Sequence, residues 1–136
     1  MMHEKKAVIF DLDGVLVDTG RFHKQSWFDL AKKHGFEMSD GFFLETFGMQ
    51  NDEIMPKLAD KRLSEGEMRE MSEWKEARYR ELIQGQLELM EGVKELLLNL
   101  RDAGFEMAIG TSTPKVNLDF LLENIQIAGY FGAFVT

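Results

Sequence analysis

The chain has 136 residues, of which 16 are Lys or Arg and 24 are Asp or Glu, so its formal net charge at pH 7 is −8. Hydrophobic residues make up 44% of the sequence and charged residues 29%, a balance typical of a globular protein and not of a disordered chain. The acidic balance argues against nucleic acid as a partner, and the absence of cysteine excludes disulfides, thiolate catalysis and Cys-ligated metals.

The first apolar run of the chain covers residues 7–10 and is followed by acidic residues. A signal peptide needs a longer apolar segment, and a membrane helix needs about 20 apolar residues. We therefore expect a cytoplasmic protein that has no membrane partner. The run itself, Ala-Val-Ile-Phe, is continuous rather than alternating, which predicts a strand of a parallel sheet that is buried on both faces.

The next 70 or so residues carry helical spacing. A helix is predicted from about residue 21 to Gly35, followed by a short Phe-rich element over 39–47 and a short helix that Asn51 would cap. Ser64 and Glu67 form a capping-box pattern, which opens a long polar helix reaching about residue 83. Residues 18–90 are therefore predicted to form an all-helical insert.

The α/β pattern returns after residue 90. A helix ended by Gly104, a strand over 105–110, a helix capped by Thr113 and a strand beginning at Ala133 are predicted in turn. The buried faces of the two helices are predicted to be Val93, Leu96, Leu97 and Leu100, and Leu118, Leu121, Leu122 and Ile125. Strands separated by helices pair in parallel. The predicted fold is α/β, with a Rossmann-like core of residues 1–17 and 91–136.

Two predicted strand ends carry reactive side chains. Asp11 and Asp13 follow the first strand, and Thr111, Ser112 and Thr113 follow the second. Ligands of open α/β sheets bind at the carboxyl ends of strands. Two adjacent carboxylates need a cation or a shared proton, and such oxygen ligands suit Mg²⁺. One carboxylate can also act as a nucleophile in phosphoryl transfer while the other acts as general acid and base.

Each of these patterns has a simpler alternative. Asp-x-Asp-Gly is common in turns and at the start of calcium loops, although this sequence has no further acids at alternate positions and no Glu at the twelfth. A helix cap would explain Thr-Ser-Thr-Pro without any function. The occurrence of both patterns at the ends of apolar strands favours phosphoryl chemistry.

Residues 10–19, Phe-Asp-Leu-Asp-Gly-Val-Leu-Val-Asp-Thr, resemble the first motif of the haloacid dehalogenase (HAD) superfamily, and residues 109–114, Ile-Gly-Thr-Ser-Thr-Pro, are similar to the second. The chain most resembles β-phosphoglucomutase-like phosphatases, which carry a helical cap just after the first motif. The resemblance spans essentially the whole chain. It implies an Mg²⁺-dependent phosphatase of small phosphorylated metabolites, sugar phosphates among them, that works through an aspartyl-phosphate.

The resemblance also implies roles for residues of the strand ends. Asp11 would be the nucleophile, and Asp13 would be the general acid/base. Both would bind Mg²⁺, Asp13 through its backbone carbonyl. Thr111 would hydrogen-bond the transferring phosphoryl group, and Ser112 and Leu12 are assigned to substrate binding beside it.

Two residues of the insert are assigned to substrate binding by the same resemblance. His23 lies where relatives carry a hinge histidine that couples cap closure to acid/base chemistry, and its alternative is a partly buried helix histidine. Lys75 lies near a cap lysine that reaches the substrate, and its alternative is an exposed lysine on a charged helix.

The sequence departs from the family pattern in two ways. Asn51 stands where phosphoglucomutases carry an arginine that grips the distal phosphate, which favours a phosphatase over a β-phosphoglucomutase-like phosphohexomutase. The family continues to a lysine and an acidic pair that complete the metal site, whereas after Thr111 this sequence has only Lys115, Asp119 and Glu123, all in the next predicted helix. We therefore expect a chain truncated after the third core strand, with impaired activity.

Two further alternatives belong to other functional classes. A short chain of this kind would serve as a non-catalytic interaction protein, because an incomplete sheet leaves an edge and apolar faces that favour self-association. A phosphate-accepting receiver domain also places acids at strand ends, but a helical insert of about 70 residues is far longer than its ordinary connections.

Overall fold

The computed structural model describes residues 4–136. The elements in chain order are β1 Ala7–Phe10, α1 Gly20–His34, α2 Asp40–Thr46, α3 Asn51–Ala59, α4 Glu65–Ile83, α5 Val93–Asp102, β2 Glu106–Gly110, α6 Lys115–Ile125, a 3₁₀ turn Ala128–Tyr130 and β3 Ala133–Val135. This is an α/β fold with an all-helical insertion, as predicted.

The chain divides into two compact units. The core unit consists of the described part of Met1–Gly20 together with Ile83–Thr136, and the helical insert is Arg21–Leu82. The sequence pattern places these boundaries after residues 17 and 90 instead. Residues 1–3 of the predicted core segment lie outside the described residues.

The core unit contains a three-stranded parallel sheet with the order β1-β2-β3. Phe10 pairs with Ile109, and Gly110 pairs with Val135, so the three strands end at one edge of the sheet. The helices α5 and α6 supply Leu97, Leu118 and Leu121 to the buried interior of this unit. The strand order places the segments that follow β1 and β2 side by side.

Two predictions about buried faces are wrong. β1 is not buried on both faces, because Phe10 is buried whereas the side chain of Ile9 is 75% exposed. β1 is an edge strand of the described sheet, and no described helix covers the side of it on which Ile9 lies. In α5, Val93 and Leu97 are buried, but Leu96 is 44% exposed because it lies away from the face that packs.

The helical insert has its own apolar cluster. Helices α1, α3 and α4 contribute its buried members, which are Trp27, Leu30, Ala31, Ile54, Met55, Leu58 and Met71. The predicted capping box at the start of α4 is present in part, because the Glu67 N–H donates to Ser64 Oγ at 3.1 Å. The prediction that Asn51 caps α3 is wrong. Gln50 occupies the N-cap position, and the Asn51 side chain bonds to α4 instead.

The segments that enter and leave the helical insert are paired with each other. Val17 forms an antiparallel bridge with Leu89. The Asp18 N–H donates to the Glu88 carbonyl at 3.3 Å, and the Met90 N–H donates to the Leu16 carbonyl at 2.9 Å. We call this pairing the antiparallel junction. Within residues 4–136, no helix combines the length and the apolar character that a membrane crossing requires.

Candidate active site

The predicted carboxylates and hydroxyls meet at the carboxyl edge of the sheet. Phe10 and Ile109 are paired neighbours on parallel strands, so Asp11 and Thr111 follow adjacent strand ends. The Thr111 N–H donates to the Val135 carbonyl at 2.9 Å, which extends the pairing of β2 with β3 by one residue. Parallel strands place ligand-binding groups at this edge in open α/β sheets.

Asp13 is held by hydroxyl groups on both of its carboxylate oxygens. Thr19 Oγ1 donates to Oδ1 at 2.6 Å, and Thr113 Oγ1 donates to Oδ2. Both threonines are buried, so their hydroxyls are fixed in direction. Hydrogen bonds donated to a carboxylate favour its ionised form. Asp13 itself is only half-buried and therefore remains accessible from the solvent side.

The chain makes a tight turn over residues 12–17, directly after Asp11. The Leu12 carbonyl accepts hydrogen bonds from the N–H groups of Val15, Leu16 and Val17. Gly14 adopts a φ of 75°, in the region that glycine tolerates best, and its N–H donates to the Val17 carbonyl at 2.8 Å. This turn carries the chain back past Asp13, whose carboxylate thereby comes within reach of Thr19.

Asp11 and Leu12 have opposite environments. Asp11 is exposed, and one of its carboxylate oxygens accepts the Leu12 N–H at 2.7 Å. The Leu12 side chain is fully buried and anchors the turn. Because the Leu12 side chain lies in the interior, only its backbone could take the substrate-binding role that the sequence predicts. Asp11 has the access to solvent that a nucleophile requires.

The prediction that Thr113 caps α6 is wrong. α6 begins at Lys115, its N-cap residue is Pro114, and no side chain caps it. The Thr113 hydroxyl donates to Asp13 instead, and the Thr113 N–H donates to Thr111 Oγ1 at 3.0 Å. Thr113 thus links the predicted phosphoryl-binding hydroxyl to the predicted acid/base. Ser112 lies between them and is exposed.

The sequence placed Thr113 among the strand-end hydroxyls but predicted for neither Thr113 nor Thr19 a contact with Asp13. Thr19 closes the first quoted motif, and its hydroxyl lies six residues from the acid that it contacts. For Thr113, the available signal was its spacing of two residues from Thr111 after a strand end. Its partner Asp13 is 100 residues away in sequence, so local spacing could not identify the contact.

His23 and Lys75 lie together inside the helical insert. Lys75 Nζ is 3.1 Å from His23 Nδ1 and 3.1 Å from Glu76 Oε1. Lys75 is only 2% exposed, so the alternative of an exposed lysine on a charged helix is wrong. The substrate-binding roles of His23 and Lys75 stay predictions. Glu76, which the sequence did not single out, is the carboxylate that balances the buried ammonium.

The contacts of this cluster lower the pKa of Glu76. Burial acts to raise its pKa, but the charge of Lys75 and the hydrogen bond from Asn51 outweigh burial, so the pKa lies below the ordinary value of 4.5. Asn51 Nδ2 is 2.8 Å from Glu76 Oε1 and 2.9 Å from Ser72 Oγ. Glu76 is therefore ionised at neutral pH.

The strand-end oxygens suit a hard divalent cation. Mg²⁺ binds through one or two carboxylates and keeps several waters and substrate oxygens. The exposed Asp11 carboxylate and the Asp13 backbone carbonyl are donors of this kind, while both Asp13 carboxylate oxygens are engaged with threonines. Within residues 4–136, no group of three or more His, Cys, Asp or Glu side chains is arranged to hold a metal ion. The donors therefore fit Mg²⁺ as a partly hydrated ion.

Comparison with known proteins identifies relatives over nearly the whole chain. The family described as haloacid dehalogenase-like hydrolase matches residues 8–136. Protein CbbY of Rhodobacter capsulatus is 31% identical over 88% of this chain and 56% of its own length. The β-phosphoglucomutase of Bacillus subtilis and the phosphorylated carbohydrates phosphatase of Thermotoga maritima are each 27% identical over 96% of this chain and 60% of their own length.

A solved structure shares the fold. The HAD hydrolase of Entamoeba histolytica, of family IA, variant 3, superposes with a TM-score of 0.85 at 24% identity, over 95% of this chain and 60% of its own. The chain thus spans 56–60% of the length of the curated relatives described above.

Proposed function

The chain belongs to the haloacid dehalogenase-like hydrolase family, and from this premise we propose that it is a phosphohydrolase of small phosphorylated metabolites. The observation that carries the proposal is the arrangement at the strand ends. An exposed carboxylate, Asp11, lies two residues from a carboxylate that buried threonines hold in place, Asp13. An accessible nucleophile beside a positioned acid/base is the arrangement that covalent phosphoryl transfer requires.

In the first step, an Asp11 carboxylate oxygen attacks the phosphorus of the substrate. The bond from phosphorus to the leaving oxygen breaks, and an aspartyl-phosphate forms on Asp11. Asp13, having taken up a proton, donates it to the leaving oxygen, so the product departs as an alcohol. To reach that oxygen, Asp13 gives up at least one of the two hydroxyl contacts that it makes in this structure.

In the second step, water attacks the phosphorus of the aspartyl-phosphate. Asp13, now a carboxylate, takes a proton from that water, the bond from phosphorus to Asp11 breaks, and inorganic phosphate is released. Thr111 hydrogen-bonds the phosphoryl oxygens in both steps, with the Thr113 N–H orienting its hydroxyl. The exposed Ser112 is adjacent to this position.

The cofactor of the proposal is Mg²⁺. Asp11 and the backbone carbonyl of Asp13 would hold it, and when bound it would offset the negative charge that the phosphate brings to two carboxylates. Among the relatives, one is named a phosphorylated carbohydrates phosphatase and another a β-phosphoglucomutase. These names support sugar phosphates as the substrate class. The cytoplasmic location remains a prediction from the sequence.

Phosphatase action is favoured over phosphohexomutase action by the state of Asn51. A mutase retains a bisphosphorylated intermediate and therefore needs cationic groups for a second phosphate. The Asn51 side chain is neutral, and its amide nitrogen is engaged with Ser72 and Glu76. A neutral amide offers a second phosphate none of the paired positive contacts that an arginine would.

The proposal is tested by hydrolysis of p-nitrophenyl phosphate with and without MgCl₂. We expect slow Mg²⁺-dependent release of phosphate, which Asp11→Asn lowers at least about 10³-fold because the nucleophile is lost. Asp18→Asn is the matched control, since Asp18 is an exposed acid of the same segment whose N–H donates to the Glu88 carbonyl in the antiparallel junction. Release of phosphate that persists in Asp11→Asn contradicts the proposal.

A second candidate is an interaction role through the core unit. Ile9, Val116 and Val135 are 75%, 63% and 66% exposed, and β1 and β3 are the edges of the described sheet. Exposed apolar edge strands favour association with another chain, including a second copy. Sedimentation of the chain and of its Ile9→Lys variant tests this candidate, and a monomer at micromolar concentration counts against it.

A further inference from the structure

A groove lies between α1 and α4 of the helical insert, and the proposed phosphoryl chemistry uses none of the side chains that line it. Its volume is about 580 Å³, within the range of pockets that hold small organic molecules. We call it the α1–α4 groove. Helix α1 lines it with Asp29, Lys32 and Lys33, and helix α4 lines it with Trp74, Ala77, Arg78 and Glu81.

The two helices present these residues as matching stripes. Along each helix the lining residues follow the spacing of three and four that brings side chains onto one face. Trp74 lines the groove and also packs against the apolar cluster of the insert. Its ring therefore joins the groove to a packed interior, which gives the groove a fixed apolar wall. Ala77, one turn further along α4, adds a small side chain to that wall.

Both carboxylates of the groove are paired with one guanidinium. Arg78 Nε donates to Asp29 Oδ2 at 2.8 Å, and Arg78 Nη1 donates to Glu81 Oε2 at 3.2 Å. Gln25 Nε2 donates to the other Asp29 oxygen at 2.8 Å. Burial acts to raise the pKa of Asp29, but the hydrogen bonds from Arg78 and Gln25 and the charges of Arg78 and Lys32 outweigh it, so the pKa lies below the ordinary 3.8.

The two lysines of the groove have no such pairing. Among residues 4–136, no carboxylate lies within ion-pair distance of the ammonium group of Lys32 or Lys33, and both side chains are exposed. Lys33 Nζ lies 4.7 Å from the centroid of the Trp74 ring, whose face attracts a cation. Basic residues in the last turn of α1 also stabilise its C-terminal carbonyl groups. That role explains the two lysines but not the groove with an aromatic wall beside them.

The charges and the wall of the groove together select a class of ligand. A cationic ligand is disfavoured, because Arg78 already pairs with Asp29 and Glu81. A ligand with several negative charges is disfavoured as well, because the same two carboxylates would repel it. A single carboxylate fits the two ammonium groups, and a planar ring attached to it gains contact with Trp74.

We propose that the α1–α4 groove binds a small aromatic monoanion, with its carboxylate between the ammonium groups of Lys32 and Lys33 and its ring against Trp74 and Ala77. The site consists of residues of the helical insert alone. It is therefore separate from the strand-end residues of the core unit, and its test does not depend on phosphate release.

Binding is measured in ¹H–¹⁵N correlation spectra of the ¹⁵N-labelled chain during titration with sodium benzoate. The chain has two tryptophans, and their indole N–H signals are assigned with Trp74→Phe. Trp74 lines the groove, whereas Trp27 is 4% exposed and does not line it. We expect a saturating shift of the Trp74 signal with a Kd of about 1–10 mM, and no shift of the Trp27 signal. Absence of a saturating Trp74 shift overturns the proposal.

Two further ligands separate the contribution of the charge from that of the ring. Benzamide retains the ring without the charge, and acetate retains the charge without the ring. Each is expected to bind with a Kd at least about threefold higher than benzoate, because each lacks one of the two contacts of an exposed site. A Kd for benzamide or acetate equal to that for benzoate overturns the proposal.

Variants test the residues that the proposal names. Lys32→Gln/Lys33→Gln removes both ammonium groups and is expected to raise the Kd for benzoate at least about fivefold. Lys57→Gln/Lys61→Gln is the matched control, because it removes two exposed lysines of the same insert that do not line the groove. A Kd that is unchanged in the first variant, or raised as much in the control, overturns the proposal.

A second variant tests the apolar wall without changing any charge. Ala77→Leu places a larger side chain in the groove and retains a residue that favours the helix. We expect it to raise the Kd for benzoate at least about threefold, because the ring loses its place beside Trp74. Benzoate binding of unchanged strength in Ala77→Leu would place the ligand outside the groove and overturn the proposal.

Discussion

The polar cluster of the core unit and that of the helical insert satisfy charge in different ways. Around Asp13, a half-exposed carboxylate accepts hydrogen bonds from the hydroxyl groups of two buried threonines. Around Lys75, an ammonium and a carboxylate are both buried and balance each other. The first cluster lies at a strand end that solvent reaches, and the second pairs opposite charges in the interior of the insert.

The difference separates a site open to a ligand from one that is already satisfied. Carboxylates that solvent reaches can bind a cation, and a bound cation can in turn bind a phosphate group. A buried pair that is internally balanced gains little from a ligand, but it loses much when one member is removed. Substitutions in the two regions should therefore differ in size.

The largest effect is expected from Lys75→Met in the helical insert. This substitution removes the ammonium that contacts the buried Glu76 carboxylate at 3.1 Å, which we expect to lower the free energy of unfolding by about 3–5 kcal/mol. Both tryptophans, Trp27 and Trp74, lie in the insert, so denaturant unfolding followed by tryptophan fluorescence reports on this region. The double variant Lys75→Met/Glu76→Leu should recover most of the loss, and a loss in the double variant as large as in Lys75→Met would contradict the ion-pair account.

A smaller effect is expected when acid breaks the same pair. The folded-state pKa of Glu76 is below the ordinary 4.5, so the ionised group stabilises the fold fully above pH 4.5, and this contribution is lost as pH falls through the folded-state pKa. We expect the difference in unfolding free energy between the wild type and Glu76→Gln to stay constant from pH 7 to about 4.5 and then to shrink. With Glu73→Gln, no such narrowing should occur, and a difference that grows in acid would refute the assignment.

The smallest effect is expected from Thr113→Val in the core unit. One hydroxyl donor to Asp13 is lost, but the carboxylate keeps Thr19 and gains access to water, so we expect a cost of about 1–2 kcal/mol. Amide hydrogen exchange in β1 and β2 should accelerate, while the tryptophan transition of the insert should not move. Ser112→Ala, an exposed neighbour, is the control. An effect of Thr113→Val as large as that of Lys75→Met would abolish the contrast between the clusters.

The sequence predicted the core unit well because its signals are local. A continuous apolar run followed at once by Asp11 and Asp13 specifies a strand and the groups at its end, and the 105–110 run specifies the adjacent strand. Parallel pairing follows from the intervening helices. The meeting of carboxylates and hydroxyls at one edge therefore needed no knowledge of distant contacts.

The contacts that were missed are those between residues far apart in sequence. A threonine before a proline has the pattern of a helix cap. The Thr113 hydroxyl donates to Asp13 rather than capping α6, and this contact depends on a residue far away in sequence. Lys75 and Glu76 have the composition of an exposed helix face. Their burial depends on Asn51, 25 residues away from Glu76, and on His23, 52 residues away from Lys75.

The antiparallel junction between Val17 and Leu89 has a consequence for how such chains diversify. Because the segments that enter and leave the insert are hydrogen-bonded to each other, the two ends of the core chain lie side by side at this junction. Replacing the insert with a short turn between these two segments would leave the path of the core chain unchanged, and so would an insert of another size. The junction therefore lets the helical insert vary in size while the strands that carry Asp11 and Thr111 keep their path.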